Sequence, residues 1–261
     1  MYSHHTDSIQ RVTDYFQKDP EVLALLLGGS IAHGFETPTS DVDILIFVAD
    51  DDYKKRFETN QIHFFNRELA TYEGGYVDGK YSSPRFVKQV LEKGSEPARF
   101  AFAGSRVLFS KLDGFADDVR KVAEYPVAEK AERIRRFYAQ FEAWHWYSGE
   151  ALRLSNPYLL GTSVSKFILF SGRLILAHNE QLYPYHKWFL RVLEGAGDRP
   201  DGLLDSIHQL NAVPSLENVE SLYEMVKKFR PWIEGEFSWP TQFMFDSELN
   251  WMDGKTPVDD L

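Results

Sequence analysis

The chain holds no cysteine among its 261 residues. Disulfides and thiolate metal sites are excluded, and a reducing cytoplasm fits that absence. Basic charge is also short. Lys and Arg number 29 against 39 Asp and Glu, a formal net charge of −10. A broad nucleic-acid footprint does not fit that balance, whereas a cationic partner does. MYSHHTDSIQ lacks the apolar core of a secretory signal, and no hydrophobic run reads as long enough to span a membrane. No internal repeat or low-complexity segment is visible. Aromatic residues, by contrast, are plentiful. With 20 Phe, 13 Tyr and 6 Trp they make up 15% of the chain, so a substantial core can be built. The length suits one large domain or two modest ones.

Ile9, Val12 and Phe16 recur at helical spacing and predict an opening helix that ends before Pro20. Val22 to Leu27 reads as a buried strand closed by Gly28-Gly29, and Asp41 to Val48 as a second strand. Asp50-Asp51-Asp52 is placed to cap a following helix. Residues 61 to 82 read as strands turning at Gly74-Gly75, a hairpin signal. Ser83-Pro84 marks a helix start and Gly94 its stop, and RVLF at 106 to 109 reads as a last strand. Beyond about residue 112 the pattern becomes helical. Ile134, Phe137, Tyr138, Phe141 and Trp144 lie on one face of a long helix; SVSKFILFSGRLILAH is a more buried one; Leu216, Val219, Leu222, Tyr223 and Val226 mark another. The expected fold is α+β. A mixed-sheet domain over 1–112 precedes an all-helical domain over 113–261, the boundary falling within about 110 to 126. The tail from FSWPTQFMFDSELN to the acidic end reads as laid across the surface rather than folded as an element.

The stretch LLLGGSIAHGFETPTSDVDILIFV, from Leu25 to Val48, carries the chemistry. As a P-loop it fails, since Phe35-Glu36 stand where Lys and Ser/Thr are needed. As a nucleophile elbow, GGSIA fails at its last position, Ala32, and has too little chain upstream for the supporting strands and loop. A third reading uses every residue. A strand delivers Gly29-Ser30 to a helix start, where glycine lets a phosphate approach backbone N–H groups. The next strand then carries Asp41 and Asp43, which at i and i+2 point the same way. Two carboxylates so placed repel unless a divalent cation sits between them, and hard oxygen donors beside a phosphate suit Mg²⁺. A third carboxylate and a second ion would complete a two-metal site.

Ser30-Ile31-Ala32-His33-Gly34 and Ser40-Asp41-Val42-Asp43-Ile44 resemble the G-S-x-A-R-G and S-D-x-D forms of the DNA-polymerase-β-like nucleotidyltransferases. His33 stands where Arg is usual, a departure that weakens a phosphate contact. The strict motif covers only the first ~50 residues, although an α/β head followed by helices also matches. With an acidic helical second part, the chain is most similar to the small-molecule branch, the aminoglycoside and lincosamide nucleotidyltransferases.

That resemblance implies a third acidic residue on a neighbouring strand. Asp78, in YVDGKY, is the choice, with Glu73 and Glu68 as rivals. Lys80 shares the face of Asp78 if Gly79 makes no bulge, and neutralises a phosphate or pairs with Asp78. The family usually draws a lysine from the helical domain; Lys187, near a helix start after Pro184, is preferred over Lys166, each having the bland alternative of a solvated side chain. Trp144 and Tyr147 are candidate acceptor-pocket residues on an otherwise core-like stripe. The expectation is a metal-dependent nucleotidyltransferase. Asp41, Asp43 and Asp78 hold two Mg²⁺ ions, and Gly29, Ser30, Lys80 and Lys187 hold a nucleoside triphosphate, by default ATP. A nucleoside monophosphate passes to a hydroxyl of a small, cationic acceptor such as an aminoglycoside, and pyrophosphate leaves. The alternatives are nucleotidylation of RNA or protein, or an inert nucleotide-binding or toxin–antitoxin-type module. The acceptor, the base and the oligomeric state are left open.

Overall fold

Ile9, Val12 and Phe16 form the buried face of the first helix, α1 (Ser3–Gln17), as their spacing predicts. The structure, a computed structural model, describes residues 1–255 and divides into two units, Met1–Tyr125 and Pro126 onward. In the first unit, α1 is followed by β1 (Ala24–Leu27), α2 (Gly29–His33), β2 (Val42–Phe47), α3 (Asp50–Glu58), β3 (His63–Asn66) and β4 (Val77–Ser82). Then come α4 (Pro84–Lys93), α5 (Glu96–Phe100), β5 (Arg106–Ser110) and α6 (Phe115–Val122). The structural division lies beyond the 112/113 cut but within the 110 to 126 range read from the sequence. Phe115, Val119 and Val122 of α6 are buried in the first unit's own core, which carries the unit on to Tyr125.

The five strands form one mixed sheet in the order β3-β4-β2-β1-β5. β2 and β4 are parallel, and the other neighbours are antiparallel. Side chains alternate along β2. Val42, Ile44 and Ile46 enter a core with Val12 and Phe16 of α1. Leu45 and Phe47 face the opposite way, into a core with Val87 and Val90 of α4 and Val119 of α6. By the same alternation Asp43 shares the second face, just before that apolar cover begins. β2 starts at Val42 rather than Asp41. Asp50, Asp51 and Asp52 are the first turn of α3 rather than its cap, which is Ala49. Carboxylates there suit the positive end of the helix. β3 and β4 pair as expected, but through the long connection 67–76 rather than a tight turn at Gly74-Gly75. Ser83 and Gly94 do flank α4, with Pro84 at its first position.

Every described element of the second unit is helical. The longer ones are α7 (Lys130–Arg153), α8 (Pro157–His178), α9 (Phe189–Glu194), α10 (Leu203–Ala212), α11 (Leu216–Phe229) and α12 (Trp239–Phe243). Phe141, Phe167, Leu174, Leu222 and Val226 are wholly buried in its core. One charge is buried with them. Glu142 accepts from the Tyr223 hydroxyl at 2.8 Å and lies 3.6 Å from Lys227 Nζ. Burial, reinforced by hydrogen bonds to Glu142, drives the Tyr138 and Tyr223 hydroxyls far above their ordinary pKa, so both stay donors. Two expectations need correction here. α8 is, by length and composition alone, apolar enough to cross a membrane, with half of its 18-residue window buried within the structure. The tail is not merely draped. Trp239–Phe243 is helical, Met244–Glu248 is a π-turn and Asn250–Asp253 a 3₁₀ turn, with Phe243 anchoring the segment in a buried position. The acidic end beyond 255 lies outside the described residues.

Candidate functional site

β1 ends at Leu27, and Gly28 N–H donates to the Asp43 carbonyl at 2.9 Å, so the turn after β1 is tied to β2. Gly29 follows with a φ of +62°, a region that L side chains rarely adopt. A Cβ there would overlap the Asp43 carboxylate. Gly29 is therefore a glycine for two reasons, and the carboxylate lies directly against the turn. Ser30 follows, buried, in the five-residue α2. The expected helix start exists, but it is too short for a macrodipole to matter much; what it offers is first-turn N–H groups without intrahelical acceptors.

Asp43 pairs in register with Asp78 across the parallel β2–β4 ladder. The register runs unbroken from Val42↔Val77 to Phe47↔Ser82, so Gly79 makes no bulge and Lys80 does share a face with Asp78. Tyr76, two residues before Asp78, has the same orientation. The pKa of its hydroxyl is raised chiefly by the charge of Asp41 beside it, with Asp78 and Asp43 adding to it. The three aspartates therefore lie around one phenol. Asp78 is further engaged by His63 on β3, with Nε2 at 3.2 Å from Oδ2. Phe65 of β3 packs 5.2 Å from the Tyr76 ring, and the Arg67 guanidinium lies over both rings, 5.6 Å from Phe65 and 6.0 Å from Tyr76.

The loop that delivers Asp41 is held from α1 and from the 67–76 connection. The Ser40 carbonyl accepts from the Tyr72 hydroxyl and from His5 Nε2, the latter at 3.1 Å. His4 Nε2 bonds the Pro38 carbonyl at 2.9 Å. A carbonyl only accepts, so each of these Nε2 atoms carries the proton. Within the loop, Thr37 N–H donates to Ser40 Oγ at 2.9 Å.

The rivals for the third carboxylate, Glu68 and Glu73, are exposed and lie in the 67–76 connection, off the sheet. Lys187 and Lys166 belong to the second unit. Lys187 is in a 3₁₀ turn just before α9, as its proximity to a helix start predicted, with Nζ 5.2 Å from its neighbour Trp188's ring centroid. Lys166 Nζ lies 4.7 Å over Trp144. Tyr76 was open to discovery from the sequence, since period-2 alternation places it with Asp78. His5, Tyr72 and His63 were not, because no local pattern announces a partner 15 to 35 residues away.

Asp41 and Asp43 offer oxygen donors, the type a hard divalent cation takes, and Gly29 leaves the cradle in which one of them sits. In donor chemistry the pair fits such an ion. Among the described residues, however, no three His, Asp or Glu side chains are gathered into a closed metal cage.

Residues 10–95 match the family model described as Polymerase beta, Nucleotidyltransferase. That span runs from α1 through the Gly29 turn and all three aspartates to just beyond α4. Over that span the chain matches a nucleotidyltransferase domain, and a helical region follows. Such domains generally use nucleoside triphosphates and divalent metals. Among solved structures, the fold is similar to that of a nucleotidyltransferase-like protein from Exiguobacterium sibiricum, with a TM-score of 0.48 and 10% identity over 98% of this chain and 83% of the other. No curated protein matches the chain.

Proposed function

We propose that the protein transfers a nucleoside monophosphate from a nucleoside triphosphate, ATP by default, to a hydroxyl of a small cationic acceptor in the cytoplasm. The observation that carries this reading is the register of Asp43 beside Asp78, with the Asp43 carboxylate seated in the space left by Gly29. That arrangement sets carboxylates against a turn whose backbone can receive phosphate.

In this reading the Gly29–Ser30 turn orients the triphosphate, and Lys80 offsets part of its charge. Asp41 and Asp43 would hold Mg²⁺, which when bound neutralises phosphate charge and positions the reacting groups. The Tyr76 phenol lies beside Asp41 and is placed to steady it. Asp78 accepts the proton of the acceptor hydroxyl. The acceptor oxygen forms a bond to the α-phosphorus, the α–β bridging bond breaks, and pyrophosphate leaves with that electron pair. Positioning and charge neutralisation supply most of the rate. The net charge of −10 favours a cationic acceptor over RNA, and the resemblance to the antibiotic-modifying branch puts aminoglycosides first among those to test.

The test incubates the full chain with each triphosphate, Mg²⁺ and pooled aminoglycosides, amines and sugars. The expected result is pyrophosphate together with an acceptor heavier by one nucleotidyl group, both absent with Asp43→Asn. Labelled RNA or protein with no small molecule modified would overturn the acceptor class. No pyrophosphate with any triphosphate or acceptor would overturn the transfer.

A further inference from the structure

The helical unit contains an aromatic cavity that the transfer chemistry does not use. It has a volume of about 290 Å³, and its walls include Trp146 and Tyr147 of α7, Trp239 and Phe243 of α12, and Met244 and Glu248 of the π-turn. We infer that this cavity binds a small organic ammonium group.

Four features point to that ligand. The first is ring geometry. Trp146 and Tyr147 meet edge to face at 4.9 Å, and Tyr147 lies 6.2 Å from Phe243, so faces and edges of several rings border one space. Ring faces carry negative potential and attract cations. The second is charge. Glu248 is the one charged residue in the lining, it is exposed, and it makes no ion pair among the described residues. The third is precedent within the same cluster. Trp144, packed 5.2 Å from Tyr147 and 6.1 Å from Phe243, already holds the Lys166 ammonium 4.7 Å over its ring. The fourth is contrast. A cavity of about 430 Å³ in the same unit is lined by Lys130, Arg135 and Arg230 with Glu234 as its only acid, a lining that repels cations. Trp146 is 53% exposed and Met244 43%, so the aromatic cavity is open to solvent.

The volume is at the small end for ligand sites, so the cavity takes an ammonium head group or one amino-bearing ring rather than a whole large molecule. The site was not legible as such from sequence. Tyr147 stood out on the α7 stripe, but its partners come from a tail that folds back only in three dimensions.

This inference goes beyond the transfer reading, and its test is arranged to fail separately. Choline is titrated into the full chain without triphosphate or metal, and binding is followed by calorimetry and tryptophan fluorescence. The probe for charge is 3,3-dimethyl-1-butanol, which replaces the quaternary nitrogen by carbon at nearly the same shape. Choline is expected to bind about tenfold more tightly than the neutral isostere. Trp146→Leu and Glu248→Gln should each weaken choline by about fivefold or more without changing Tm, since both residues are exposed. Asp43→Asn should leave choline binding unchanged. Equal binding of the isostere, no choline binding, or choline binding indifferent to both cavity variants would overturn the assignment. So would its loss in Asp43→Asn, which would place the cation elsewhere. None of these results depends on whether a nucleotide is transferred.

Discussion

Asp43 occupies the space that a side chain on Gly29 would need. The two residues sit on successive elements, a turn after β1 and the second position of β2, and the bond from Gly28 N–H to the Asp43 carbonyl fixes one against the other. The missing side chain and the carboxylate are therefore one device. It removes bulk from a turn and fills the gap with an oxygen donor.

Gly29→Ala tests that device. The new methyl group meets the Asp43 carboxylate and must also adopt a φ of +62°. The backbone penalty alone is about 1–2 kcal/mol, and displacement of Asp43 adds to it. Tm should fall by several degrees, and nucleotidyl transfer by about a hundredfold or more. Gly34→Ala is the control. Its φ is +70° but a Cβ there meets nothing within 4 Å, so it should cost the backbone term and leave most of the turnover.

Asp43→Asn separates chemistry from folding. The amide is nearly the same shape, so the contact with Gly29 survives, while the charge is lost. Turnover should fall by about two to three orders of magnitude, as when a charge-stabilising group is removed from an active site. Stability in chelator should hold or rise slightly, because repulsion among Asp41, Asp43 and Asp78 is relieved. Near-normal turnover would show that Asp43 is not a ligand.

Tyr72→Phe removes one of two donors from the Ser40 carbonyl, the residue before Asp41. The loss should be about 1 kcal/mol of stability. Because His5 donates to the same oxygen, the two contributions should not add. A double-mutant cycle with His5→Gln should give a coupling of about 0.5 kcal/mol or more in chemical denaturation. Strict additivity would mean that the two side chains do not share the loop.

Much of the first unit was legible because each element carries its own local signal. Ser83-Pro84 and Gly94 punctuate α4, and the apolar alternation of Val42, Ile44 and Ile46 sets the face of β2. The choice of Asp78 over Glu68 and Glu73 followed from strand propensity, and Asp78 does lie on β4, in register with Asp43. Partnership across the chain was hidden. Nothing around His63 announces Asp78, and nothing around Tyr72 announces Ser40. The 112/113 cut rests on where the pattern turns helical, but the first helix after it, α6, returns to the sheet with Phe115, Val119 and Val122. The tail was read as unfolded because its aromatics follow no regular period. They suit one helical turn, a π-turn and a 3₁₀ turn in succession, which no single period describes.

His5 gives the fold a predictable acid limb. Its Nε2 proton goes to the Ser40 carbonyl, and its Nδ1 is buried with no partner among the described residues. Protonating Nδ1 would therefore place a charged N–H where nothing accepts it. Burial pushes the His5 imidazole below its usual 6.5, and neighbouring His4 adds to the effect; burial alone does the same to His33, which stacks on Phe100. The sign follows from linkage. Well above pH 6.5 neither the folded nor the unfolded chain protonates these groups, and their stability is fully present. As pH falls below 6.5 the unfolded chain takes up protons that the folded chain refuses. Stability then declines until the folded pKa is passed, with a slope for His5 of at most about 1.4 kcal/mol per pH unit. Denaturation midpoints measured from pH 8 to 5 should be flat at first and then fall. His5→Gln, which keeps a donor for Ser40 but cannot titrate, should lower the plateau modestly and flatten the fall. An unchanged slope between pH 6.5 and 5 in that variant would mean that His5 is protonated as readily in the folded chain as in the unfolded one.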